Sequence, residues 1–108
     1  MAFIRKKVKT FKWPVTVEEP TDGGTFDNST FDATFKRVGR TEFSKLSDKG
    51  EFELLKAVLV GWDGIDDEAG KPVPYSLEAA KELSDDPYWI RGVLRAYTET
   101  FDGAKQGN

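Results

Sequence analysis

With 108 residues, 38% of them hydrophobic and 13% aromatic, the chain is too apolar for a disordered polymer and of a size to bury one core. It contains neither cysteine nor histidine, which excludes disulfides, thiolate zinc sites and every catalytic apparatus built on imidazole. The net charge of -3 is unevenly spread: Arg5, Lys6, Lys7, Lys9 and Lys12 open the chain without an acid, while Asp63, Asp66, Asp67, Glu68, Asp85 and Asp86 crowd the second half.

Residues 7–18 alternate as a half-buried strand does, with Phe11, Trp13, Val15 and Val17 on one face and Thr10, Lys12, Thr16 and Glu18 on the other. Pro14 lacks a backbone donor, so this strand lies at a sheet edge or bends there. After the turn cluster Pro20 to Gly24, Phe31, Ala33 and Phe35 alternate again, which predicts an antiparallel pair with a long connection that holds a short strand near Phe26. Gly39 closes the strand region, and Thr41 is the expected cap of a short helical turn carrying Phe43 and Leu46.

From Glu51 the period changes. Phe52, Leu55, Leu59 and Trp62 recur at three- and four-residue steps, with Leu54 and Val58 beside them, so a helix is expected until Gly61 and Gly64 stop it. Ser76 is placed to cap a short helix with Leu77, Ala80 and Leu83 inward. Asp86 and Pro87 open the last helix as cap and first helical residue, and Ile90, Val93, Leu94, Tyr97 and Phe101 form its stripe up to Gly103. Strands first and helices second is the α+β pattern: a small N-terminal antiparallel sheet followed by a helical part of three to four helices. The expected organisation is one domain over 1–108, with a β part at about 5–38, a helical part at about 41–103 and a flexible tail at 104–108. No window approaches the roughly eighteen consecutive apolar residues of a membrane helix, and the start lacks the long apolar stretch of a secretory signal, so a cytoplasmic protein is expected.

The candidate chemistry is thin. If Asp63 is the first ligand of an EF-hand-type loop, Ile65 falls on the third position, Glu68 on the required glycine and Pro74 on the closing glutamate. No metal is expected. The pairs Asp66–Asp67 and Asp85–Asp86 lack the apolar enclosure that would raise one carboxyl pKa, and no serine or threonine has a partner base. The reading is therefore non-enzymatic, with no catalytic or cofactor-binding residues. Basic residues interleaved with Phe11 and Trp13 fit a single-stranded nucleic acid, but the apolar alternation runs on through Val15 and Val17 where the charge has stopped, which favours a core strand. The loop from Gly61 to Tyr75 is too long and acidic to be buried. Its apolar residues Trp62, Ile65, Val73 and Tyr75 are the candidate protein contacts, with Trp62 and Tyr75 as the expected exposed pair.

The segments Val58 to Gly64 (VLVGWDG) and Glu68 to Ser76 (EAGKPVPYS), with Pro87 and Ala96-Tyr97 in the last helix, resemble the small tail assembly chaperones of long-tailed (siphovirus-type) bacteriophages and prophages. Trp13-Pro-Val, Gly24 and Phe31 through Phe35 are similar to that group's N-terminal half. The resemblance implies a non-enzymatic protein of the host cytoplasm that associates with the tape measure protein and helps tail tube protein polymerise around it. It further implies departure before the virion matures, and a longer form made by ribosomal frameshifting. Many weak sites along a filamentous client would favour self-association of such a chaperone. The group has no catalytic motif; its Gly-Trp segment maps to Gly61 and Trp62, and its Pro-Tyr-Ser segment to Pro74, Tyr75 and Ser76. The alternative reading is a small nucleic-acid-binding domain that uses the basic first strand.

Overall fold

The alternation around Trp13 builds strand β1, Thr10–Pro20, in the computed structural model, which describes residues 1–5 and 9–102. It pairs antiparallel with β2, Phe26–Lys36, in an unbroken register from Thr10 opposite Lys36 to Pro20 opposite Phe26. The short strand expected near Phe26 is thus the first half of β2. The connection is correspondingly tight: it runs from Thr21 to Thr25, closed by the Thr21 N–H donating to the Thr25 carbonyl at 2.8 Å. Gly23 and Gly24 supply the positive φ angles, 85° and 82°, that this turn requires. The strand order is β1-β2-β3, so Pro14 does sit on an edge strand, where a missing N–H is tolerated.

Two helices follow, α1 over Arg40–Lys49 and α2 over Glu51–Val58, separated by Gly50. The first is longer than the turn expected, and Thr41 does not cap it. Gly39 is the N-cap, without a side-chain bond, and its carbonyl accepts the Phe43 N–H at 2.9 Å.

Leu59 to Trp62 do not continue α2; Leu59–Asp63 is strand β3, antiparallel to β2, with Trp62 opposite Ala33 and a bulge between Thr34 and Phe35. Without β3, the second edge of β2 would leave N–H and C=O groups unpaired beside the fully buried Ala33 and Phe35. Val60 and Gly61 are also poor helix formers, so little helical stability is given up by the switch.

Short helix α3, Leu77–Leu83, is capped as expected by Ser76, whose hydroxyl accepts the Ala79 N–H at 3.0 Å. Leu77, expected to face inward, is 50% exposed, whereas Ala80 is buried and Leu83 half-buried as expected. Helix α4, Pro87–Asp102, opens under the Asp86 carboxylate, which accepts the Tyr88 N–H at 2.9 Å and the Trp89 N–H at 3.4 Å. Its expected end at Gly103 and the tail 104–108 lie outside the described residues, as do positions 7 and 8 of the first expected strand.

The helices cover one face of the sheet. Ile90, Val93, Ala96 and Tyr97 of α4 and Leu55 and Val58 of α2 meet Val15, Ala33 and Phe35. At their closest, α4 and β1 touch backbone to backbone: a Cβ on Gly92 would stand 2.6 Å from the Thr16 carbonyl oxygen. The core also takes Trp89, which the expected stripe omits; its ring stacks on Phe31 at 6.2 Å. Phe101 is the opposite case. The stripe predicts it inward, but it is 55% exposed because it stands at the last turn of α4, packed on Phe43 and Tyr97 rather than under the sheet.

Candidate functional site

The segment from Gly61 to Tyr75 folds back on itself. Val73 N–H donates to the Ile65 carbonyl at 2.8 Å, Asp66 bridges Pro72, and the Asp67 carboxylate accepts the N–H groups of Ala69 at 2.8 Å and Lys71 at 2.9 Å. Trp62, Ile65, Val73 and Tyr75, the candidate contacts, all pack against the core. Trp62 is buried, 7% exposed, and its Nε1 donates to the Val73 carbonyl at 2.7 Å. A buried indole N–H is costly when left unpaired, and the returning arm of the hairpin pairs this one, whereas the buried Trp89 Nε1 has no protein partner among the described residues. Tyr75 is half-buried, meets Trp62 edge-on at 5.0 Å and donates its hydroxyl to the Leu59 carbonyl at 3.0 Å. Burial raises its phenol above the usual pKa. Ile65 and Val73 are half-buried beside them, so the face turned to solvent is acidic rather than apolar.

A different surface has the character of a binding site. At the opposite end of the sheet the start of β1, the β2–α1 connection, α1 and the last turn of α4 enclose a groove of about 1140 Å³. Tyr97 anchors it. The buried hydroxyl donates to the Lys36 carbonyl at 3.0 Å and accepts the Val38 N–H at 3.3 Å, so the chain leaving β2 is tied to α4. Burial raises the Tyr97 pKa, the Val38 N–H and the Arg37 charge oppose that rise, and Glu42 adds to it. Above this anchor Phe43 stacks on Tyr97 at 6.1 Å, and Phe101 meets Phe43 edge-on at 5.2 Å. Phe11 forms the other wall, 6.0 Å from Phe35 and 6.5 Å from Trp13.

Three cations, Lys9, Arg37 and Arg40, line the groove and are exposed. Among the described residues none of them is in an ion pair. Lys12 points to the other face of the sheet and reaches Asp63 at 3.5 Å, and Arg95 holds Glu18 at 3.0 Å. The lining has no carboxylate among the described residues. Sequence reasoning registered Lys9, Phe11 and Trp13 as a basic-aromatic run but missed Arg37, Arg40, Phe43 and Phe101. The available signal was the pair of arginines flanking Gly39 just before an aromatic turn. Among the described residues no group of three acidic side chains converges as a metal site would need, and no helix is long and apolar enough to cross a membrane.

A family model described as YdaY prophage protein matches residues 31–103, from the buried half of β2 to the end of α4. That span contains the arginine, Phe43 and Phe101 side of the groove. No curated protein and no solved structure matches the chain.

Proposed function

Since the chain belongs to the YdaY prophage protein family, we propose that it is a tail assembly chaperone: it binds the tape measure protein in the host cytoplasm, assists tail tube polymerisation and leaves before the virion is complete. The observation that carries this reading is the open aromatic groove on a small prophage-family protein. A long helical ruler protein exposes apolar stripes until the tube covers them, and an apolar cleft edged by charge is a fitting reversible mask for such a stripe. The VLVGWDG and EAGKPVPYS segments support the same reading by their likeness to tail chaperones. The action is stoichiometric binding without catalysis, and self-association along the client would add avidity.

Co-expression with the tape measure gene of the same prophage tests the proposal. The tape measure protein should be soluble only when the chaperone is present. Equal sedimentation with and without it would refute the role.

A nucleic-acid role through the basic first strand has less support. Lys12 is held by Asp63, and the remaining residues on that face of β1, Thr10, Pro14, Thr16 and Glu18, make no cationic track.

A further inference from the structure

We propose that the groove between β1, α1 and the end of α4 takes an acidic amphipathic helix of a protein partner, with the helix's apolar stripe on Phe11, Phe43 and Phe101 and its flanking carboxylates on Lys9, Arg37 and Arg40. The inference rests on reading the protein as a binder of a helical client; it adds where the helix sits and which charge it carries.

The groove's charge is complementary to an acidic partner. The molecule has a net charge of -3, yet this lining contains three cations and no carboxylate among the described residues. The ion pairs among the described residues are Lys12–Asp63, Lys56–Glu53 and Arg95–Glu18, and none involves the three groove cations, which stand exposed. Long side chains of this kind lay their stems along apolar surface and hold their charge at its border. An occupant that carries an apolar stripe with carboxylates beside it therefore matches the aromatic and cationic lining of the cleft.

Occupants from the chain itself match less well. Phe3 and Ile4 are exposed and apolar, but Arg5, Lys6 and Lys7 follow them and would add positive charge to a cationic rim. The residues after α4, Gly-Ala-Lys-Gln-Gly-Asn, have no acid and only alanine as an apolar group. Single-stranded nucleic acid needs free aromatic faces on which bases stack. Here Phe43 lies face-on against Tyr97 and Phe101 meets both edge-on, so the rings form one packed apolar wall.

The test uses the full chain and three labelled probes read by fluorescence anisotropy: a helical peptide with leucines at i, i+3, i+4 and i+7 flanked by glutamates, its twin with lysines for glutamates, and oligothymidylate. The glutamate peptide should bind about tenfold tighter than its twin, from several exposed pairs each of modest strength, and added salt should narrow the gap. Arg37→Glu with Arg40→Glu should invert the preference while the unfolding midpoint stays put. Arg40→Glu alone, which should halve the gap on a logarithmic scale, serves if the double variant unfolds.

Equal binding of the two peptides, binding of neither, or tighter binding of oligothymidylate would each overturn the proposal. So would a wild-type oligomer that dissociates in the double variant without peptide binding, since the groove would then belong to a second copy. The chaperone reading fails separately. If the double variant keeps tape measure protein soluble as well as wild type does, the groove assignment falls and the function stands. If the glutamate peptide is selected but the tape measure protein is not helped, the function falls and the groove stands.

Discussion

Replacing Gly92 by alanine should loosen the whole helix-on-sheet layer. The new Cβ would lie 2.6 Å from the Thr16 carbonyl oxygen and 3.4 Å from Val17 Cα. Both obstacles are backbone of a strand fixed by its register with β2, so neither can rotate away. Relief requires α4 to lift from β1 by about 0.8 Å, the gap between that 2.6 Å and an ordinary 3.4 Å contact. A gap of that order forfeits a quarter to a half of each van der Waals well it opens, and the residues affected are Ile90, Val93, Ala96 and Tyr97. Overpacking of this kind costs about 1–3 kcal/mol, and the better helix propensity of alanine offsets about 1 kcal/mol of it. The backbone obstacle places the cost toward the upper end, which leaves a net loss of about 1–2 kcal/mol. At about 4–8 °C per kcal/mol for a domain of this size, the melting temperature should fall by roughly 10 °C. Urea unfolding followed by tryptophan fluorescence measures it directly. Gly39→Ala, with nothing within 4 Å of the added carbon, should lie within about 0.5 kcal/mol of wild type. A Gly92→Ala protein as resistant to urea as wild type would show that α4 does not press on β1 as described.

Tyr97→Phe should cost about 1–2 kcal/mol, because the Lys36 carbonyl loses its donor and the Val38 N–H its acceptor, and it should weaken binding of the glutamate peptide by loosening the groove wall. The same change bears on alkaline unfolding. Burial raises the Tyr97 and Tyr75 phenols above their ordinary value in the folded state, so the unfolded chain releases those protons first as pH rises. Their contribution is complete below about pH 10 and is lost as pH climbs through the folded values; Tyr97→Phe should make the urea midpoint fall less steeply there, and an unchanged slope would contradict the assignment. Trp62→Phe removes the 2.7 Å bond to the Val73 carbonyl and should destabilise by about 1–2 kcal/mol in the same urea assay. Asp67→Ala should speed amide exchange at Ala69 and Lys71 without moving the global midpoint, since only the hairpin tip depends on that carboxylate. Ile65→Ser should leave tape measure solubility intact in co-expression; its loss, in a protein that stays folded, would move the docking surface to the hairpin.

The class α+β, the first strand pair and the two good helix starts were legible in the sequence because each depends on local chemistry. Alternation around Trp13 has one interpretation, and Ser76 and Asp86 cap helices by reaching backbone N–H groups two or three residues away. The passage from Leu59 to Asp63 was not legible, since its apolar spacing suits a helix and a strand alike. The open edge of β2, formed by residues far off in the chain, made it a strand. That one change turned Trp62 inward and left Ile65, Val73 and Tyr75 half-buried. The groove is likewise a product of tertiary structure: Lys9, Arg37 and Phe101 are remote in sequence, and the Arg37 N–H bond to the Lys9 carbonyl, with the Tyr97 hydroxyl bonded to Lys36 and Val38, brings their elements to one place. Alternation and caps therefore determined the first strand pair and the helix starts by themselves, whereas the satisfaction of backbone groups across the sheet, a long-range requirement, decided that Leu59–Asp63 is a strand and that Trp62 is core.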